Sequence, residues 1–237
     1  METSQRSFTE ADVRAALDGV MENSEFERLA ARAHGLRAEP AGRKSEETFS
    51  HIIHTAAEVL DDVPLRDVTT HLIADRAEVN IATLYRYFSN LESILVEFDL
   101  RFQRFSLMGI REMAVKGAFT EDRRAWSDEM FDLAIVVRTD TPGAMGIARD
   151  GSAIPEVRRI TAAAEDAAAR LGAVSTGFYA PDLKPEDEWY EMWLAVVRAT
   201  SRILDDACSM RPADQKQIAA LKEMTFNFFE PHFREID

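Results

Sequence analysis

Several side chains in this sequence have types and spacings that invite a chemical reading. His51 and His54 stand three residues apart, flanked at helical spacing by Glu47 and Glu58, a pattern that can bring imidazoles to one cation. Nothing nearby supplies an enclosing outer layer of ligands, so the stripe reads as the solvated face of a helix. Gly143-x-x-Gly146 is too sparse for a loop that cradles phosphate. His34, His51, His54, His71 and His232 accompany no Ser or Cys in a recognisable nucleophile turn, and the single cysteine, Cys208, builds neither an internal disulfide nor a thiolate site. No enzymatic activity, cofactor or metal is expected. The remaining set is Ile81, Ala82, Thr83, Tyr85, Arg86 and Tyr87, where small, hydroxylated, cationic and aromatic side chains crowd one short stretch. Small residues permit close approach to a major groove, and the polar ones reach base edges or phosphates.

The elements around that stretch must position it. Residues 64–91 read as a short helix, Thr70 to Ala77, a tight turn at Glu78 and Val79, and a second short helix capped by Asn80 and running to Phe88. Leu72, Ile73, Ala77, Val79, Leu84 and Phe88 form the small core two such helices share. A packed hairpin with no partner fits the same pattern. Ahead of it, Phe49, Ile52, Ile53, Ala56 and Leu60 make one face of a helix for which Ser45 is the expected N-cap. The basic groups placed to meet phosphate are Arg43, Lys44, Arg76 and Arg86.

The run Ala74-Asp75-Arg76-Ala77-x-Val79-Asn80-x-x-Thr83-Leu84-Tyr85-Arg86-Tyr87-Phe88 resembles the helix-turn-helix signature of the TetR family of transcriptional regulators. The resemblance is close from Lys44 to Phe98 and elsewhere extends only to length, helix content and helix order. It implies a homodimer on double-stranded operator DNA, with the helix Asn80 to Phe88 in a major groove. Carried over by motif position, Ile81, Ala82 and Tyr85 approach bases, Thr83 serves base or phosphate, and Arg86 and Tyr87 hold phosphates. Lys44, Thr70 and Asn80 complete the expected DNA-binding set. Three positions depart from the family pattern: Leu91 replaces a phosphate-binding Lys, Glu78 a turn Gly, and Ile81 a frequent Lys, Pro or Arg. If the turn keeps its left-handed geometry, Glu78 costs about 1 kcal/mol.

Twenty-eight Lys and Arg against 42 Asp and Glu give a formal charge of -14, which by itself argues against nucleic acid as partner. Only the surface that meets phosphate must be basic, however, and an acidic body can lie beyond the Debye length of about 8 to 10 Å. Within 43–105 the acidic excess persists, seven Lys and Arg against eleven Asp and Glu, so DNA affinity is expected to be modest or to need the N-terminal extension.

The whole chain has a period near 3.6 residues, and the expected fold is all-α. Residues 1–43 form an accessory extension with amphipathic stretches Thr9 to Val20 and Ser24 to Leu36, or are disordered over the first several residues. Residues 44–90 form a three-helix DNA-binding domain, and 91–237 an effector-binding and dimerisation domain. A long helix after Ser89 carries Ile94, Phe98, Phe102, Phe105 and Met108 in one stripe, and Arg123 to Val137 is apolar nearly all round, marking an enclosed helix. Such aromatics usually fill a core, but they also line sensor pockets. The family resemblance favours a small apolar effector beside Phe102, Phe105, Trp126, Met130 and Trp193. In the last helix, Leu221, Met224 and Phe228 make one face and Phe226, Phe229 and Phe233 another, and the second face is expected to meet a second subunit. No segment suits a membrane span, and the N-terminus lacks a signal-peptide pattern, so a cytoplasmic location is expected. A ligand-responsive repressor is the reading favoured; a dimeric helical protein of this fold without DNA or effector binding is the alternative.

Overall fold

In the computed structural model, residues 8–32, 34–180 and 183–233 are described, save the side chain of Phe233, and the described residues form helices and connecting turns without a strand. The fold class read from the sequence is the one observed. Residues 1–7, where disorder was one expectation, lie outside the described set, as does the Phe233 side chain expected at an interface. The helices are α1 (Glu10–Glu22), α2 (Glu25–Ala30), α3 (Arg43–Asp62), α4 (Thr70–Arg76), α5 (Ile81–Tyr87), α6 (Leu91–Phe119), α7 (Arg123–Asp140), α8 (Ala144–Asp150), α9 (Pro155–Tyr179), α10 (Glu186–Ser209) and α11 (Gln215–Phe233).

Local chemistry sets several of their ends. Thr9 and Asp12 cap α1 reciprocally, the Thr9 hydroxyl accepting from the Asp12 N–H at 3.3 Å while the Asp12 carboxylate accepts from the Thr9 N–H at 2.7 Å. Thr69 accepts from the Leu72 N–H at the start of α4. α3 departs from expectation: it begins at Arg43 behind Gly42, whose φ of 86° needs no Cβ, and Ser45 lies inside the helix instead of capping it.

Two compact units emerge, and they cut across the boundaries expected at 43/44 and 90/91. The first comprises 1–27, 106–135 and 163–237; the second comprises 28–105 and 136–162. In the first unit α1 buries Val13 and Leu17, and its Arg14 and Asp18 pair with Glu112 and Arg111 at 3.0 and 2.6 Å. Helices α10 and α11 pack together, and Ile218 and Leu221 join Phe131, Leu204 and Ala207 in one apolar cluster. Phe229 belongs to another, with Trp189, Tyr179 and Ala173, and its ring lies 4.6 Å from that of Trp193. It is therefore part of its own chain's core, contrary to its expected place at a subunit contact, because the buried stripe of α11 runs Ile218, Leu221, Thr225, Phe229.

Two further aromatic residues have close partners in the first unit. Trp126 lies against Gly117, where a Cβ would come within 2.9 Å of the indole, and its N–H donates to the Met113 carbonyl at 2.8 Å. Trp193 lies as tightly on Gly172 and donates to the Thr176 hydroxyl at 3.0 Å. Close packing of this kind fixes both indoles as structural walls.

In the second unit, α3 carries the buried residues Phe49, Ile52, Ile53, Ala56, Val59 and Leu60. Helix α8 sits directly on it. A Cβ at Gly146 would stand 2.5 Å from the Leu60 carbonyl oxygen, and one at Gly143 2.7 Å from Ala57, so the glycine pair is a helix-packing device. Polar ties fix the same contact: the Gly143 N–H donates to Asp61 at 2.9 Å and the Leu65 N–H to Asp150 at 3.1 Å. Burial would raise Asp150, but the bonds from Arg149 and Leu65 prevail and hold its carboxyl below the ordinary value.

Candidate nucleic-acid interface

α4 and α5 are joined by a turn in which Ala77, Glu78 and Val79 donate back to the carbonyls of Ile73, Asp75 and Ala74 at 2.9, 3.2 and 3.0 Å. These bonds leave residue 78 one conformation, and Glu78 has a φ of 53°, in the left-handed region that Gly occupies without strain. The turn geometry expected from the sequence is kept despite its residue. Asn80 caps α5, its side-chain oxygen accepting from the Ala82 N–H at 2.8 Å. Ile73, Ala74, Ala77, Leu84 and Phe88 are buried, with Leu72 and Val79 half-buried.

The outer positions of α5 divide into free and engaged groups. Ala82 and Arg86 are exposed, and Ile81, Thr83 and Tyr85 are half-buried. The Tyr85 hydroxyl shares a hydrogen bond with the buried Thr70 hydroxyl at 2.9 Å, bracing α5 on α4, so Thr70 acts here through Tyr85 and not as an open donor. Tyr87, expected at phosphate, is 1% exposed. Its ring packs on Phe49 and Phe88, and its hydroxyl meets Ser45 at 2.8 Å and the Arg86 guanidinium. A half-turn of helix separates Tyr87 from the outer face, and the aromatic core of α3 claims it. Arg86 lies over the Tyr87 ring, 4.5 Å from its centre, and the residue stays exposed.

Cations frame this surface. Lys44 is exposed, next to the Ser45 that ties α3 to Tyr87. Arg76 is paired with Asp62 at 3.2 Å and Arg43 with Glu47 at 3.2 Å. His51 donates from Nε2 to the Ala77 carbonyl at 3.1 Å, fastening α3 to the turn, and His54 pairs with Glu58. Among the described residues no group of three or more His, Cys, Asp or Glu is arranged for a metal ion.

The segment preceding α3 differs from expectation. In place of a helix to Leu36, α2 stops at Ala30, and Leu36 forms an antiparallel bridge with Phe88. Arg37 donates from its backbone to the Tyr87 carbonyl at 2.8 Å, and from its guanidinium to the Tyr85 carbonyl at 3.3 Å. The local signal is present in His34 and Gly35, whose φ values of 37° and 80° break a helix, but only Gly35 announces this by its type.

Phe102 and Phe105 do line a recess. It lies within the second unit, measures about 250 Å³, and is walled by Ile53 and Ala57 of α3, Phe98 and Arg101 of α6, and Thr141 and Pro142. Trp126, Met130 and Trp193 belong to the first unit and have no part in it. In the same unit as the recess, Asp99 is 1% exposed; burial pushes its carboxyl up to about 7, against the weaker opposing pull of the Gln103 amide at 3.1 Å.

Residues 52–98, covering most of α3 and all of α4, the turn and α5, match the sequence model of the tetR family of bacterial regulatory proteins. No curated protein matches the sequence. Among solved structures, the crystal structure of a TetR-family transcriptional regulator from Streptomyces coelicolor is similar in fold. Its TM-score is 0.58 over 78% of this chain and 97% of that one, at 21% sequence identity. The matched segment thus carries the helix-turn-helix of the tetR family of bacterial regulatory proteins, and the solved structure shares the fold of the chain. No helix of the described residues is long and apolar enough to cross a membrane.

Proposed function

We propose that this chain is a homodimeric transcriptional repressor of the TetR type, which docks α5 of each subunit in successive major grooves of a palindromic operator and leaves it when a small apolar effector binds. The observation that carries the reading is the capped α4–turn–α5 unit, which keeps its left-handed turn at a non-glycine residue and leaves Ile81, Ala82, Thr83 and Arg86 on the accessible side. Ile81 and Ala82 are the base-approaching residues, with Tyr85 behind them. Thr83, Arg86 and Lys44 serve phosphates. Support for a dimer comes from α11, where Met224 and Phe228 are 52% and 46% exposed on a helix whose other side is packed. Support for an apolar effector comes from the mainly apolar recess at Phe98, Phe102 and Phe105, which is open to solvent and smaller than a typical ligand pocket, so that a ligand there enters only as the recess widens.

The test is binding to duplexes recovered from a randomised pool by the unmodified protein. Arg86→Ala is expected to weaken binding to all sequences alike, with the slope of log affinity against log salt shallower by about 0.9. Ile81→Ala is expected to change the preferred sequence, at about 1 to 3 kcal/mol for each base it ceases to read. Recovery of no duplex, or specific binding that survives with residues 64–88 scrambled, refutes the reading.

A further inference from the structure

We infer that the segment ahead of the helix-turn-helix is part of the DNA-contacting surface, with Arg37 a phosphate-binding residue delivered to the C-terminal end of α5. The inference rests on the proposed DNA-binding function and extends it to a part of the chain outside the matched residues 52–98. Its first support is that the path of the segment is fixed. The Arg37 N–H bonds to the Tyr87 carbonyl at 2.8 Å and the Ser89 N–H to the Gly35 carbonyl at 3.0 Å, on either side of the Leu36–Phe88 bridge, so Gly35 to Arg37 is held along the C-terminal end of α5.

Its second support is the anchor. The His34 side chain, 5% exposed, places Nδ1 3.1 Å from Glu156 and donates from Nε2 to the Leu29 carbonyl at 2.5 Å. Beside it, Gly35 has a φ of 80°, and a Cβ there would lie 2.8 Å from the Ser89 hydroxyl. A segment held this tightly presents the next long side chain in a set place.

Its third support is the charge that results. The carbonyls at the end of α5 carry the negative pole of the helix and on their own repel phosphate. The Arg37 guanidinium covers one of them, Tyr85 O, at 3.3 Å and lies 5.9 Å from the centre of the Tyr85 ring, yet the residue stays exposed. That bond uses one of its five donors. Of the cations on this face, Arg43 and Arg76 are spent on Glu47 and Asp62, whereas Arg37, Lys44 and Arg86 have no carboxylate partner among the described residues. Two of them meet at Tyr85 to Tyr87, Arg37 on the two carbonyls and Arg86 on the Tyr87 hydroxyl, and Lys44 is exposed one residue before the Ser45 that shares that hydroxyl. In a segment with a net excess of acid, this is where the surface is locally basic.

Arg37→Gln separates contact from brace, since glutamine keeps a donor for the Tyr85 carbonyl and loses the charge. Affinity for a 30-base-pair duplex recovered by the unmodified protein is measured from 50 to 200 mM salt for the unmodified chain, Arg37→Gln and Arg37→Lys, with a thermal melt of each. The Gln variant is expected to show a slope shallower by about 0.9, so that this fourfold rise in salt costs the unmodified protein about 3.5-fold more affinity than the variant. The Lys variant is expected to keep the original slope. A Gln variant with the original slope, whether its affinity is unchanged or reduced equally at all salts, overturns the inference while leaving the proposed function standing. Failure of the unmodified protein to recover any duplex overturns both.

Discussion

Glu78 offers a measurement of strain that the rest of the turn makes clean. Its φ of 53° is imposed from outside, because the N–H groups of Ala77, Glu78 and Val79 are all bonded to carbonyls of α4. Its side chain is exposed and enters none of the ion pairs of the second unit. A Cβ in the left-handed region costs about 1 to 2 kcal/mol. Replacing it with Gly removes that cost and returns about 0.4 to 1 kcal/mol to the freer unfolded chain. Glu78→Gly is therefore expected to stabilise the fold by about 0.5 to 1 kcal/mol, which for a chain of this size raises the melting midpoint by about 1 to 4 °C.

The control is Glu78→Ala, which removes the same carboxylate and keeps the Cβ. Any effect common to both variants is electrostatic, and the difference between them is the strain less the entropy that glycine returns to the unfolded chain. The same logic applies to DNA: both lose a negative charge at the turn, so equal affinity changes report charge alone. All three tryptophans, Trp126, Trp189 and Trp193, lie in the first unit, so indole fluorescence follows the wrong part of the molecule. Hydrogen exchange at the Val79 amide, followed across urea concentrations, reads the unit in question. A Gly variant no more stable than the Ala variant refutes the reasoning.

Two further outcomes are expected. Asp99, raised by burial to about 7 and near 3.8 when unfolded, adds stability that is complete below about pH 4 and lost as pH rises through 7. Asp99→Asn is thus expected to flatten the pH dependence of stability between those limits and to stabilise the protein at pH 8 by at most a few kcal/mol, a result read from urea midpoints at pH 5 and 8; equal gains at both values defeat it. Phe228→Asp is expected to yield a folded monomer by sedimentation, and Phe229→Asp a protein destabilised by about 3 kcal/mol or more, since it places a carboxylate in the Trp193 contact; the reverse pattern sinks the proposed interface.

The helix-turn-helix is legible in the sequence because its determinants are local. Thr69 and Asn80 cap helices within three residues of themselves, and Leu72, Ile73, Leu84 and Phe88 repeat at helical spacing. Ser45 shows where that logic stops: its type suits a cap, but Tyr87, 42 residues later, takes its hydroxyl. The Gly143 and Gly146 pair escapes a sequence reading for a similar reason, since nothing near either glycine in sequence reveals Ala57 and the Leu60 carbonyl waiting 2.7 and 2.5 Å from a missing Cβ.

The last helix shows why hydrophobicity alone cannot choose which face is buried. Phe226, Phe228 and Phe229 spread aromatic surface over most of a turn of α11, so the sequence reads as two apolar faces, 221/224/228 and 226/229/233. The buried stripe takes one member from each, Leu221 and Phe229, and joins them through Thr225, a polar residue that a hydrophobic pattern skips. What selects this phase lies elsewhere in the chain: Trp193 offers its ring to Phe229, while Arg124 lies over the half-buried Phe226, 5.0 Å from its centre. Met224 and Phe228 are then left outward by geometry, not by polarity. A second subunit that covers this helix must therefore meet those two residues first, with Phe226 at the margin, and the contact expected at Phe229 passes to Phe228 one position before it.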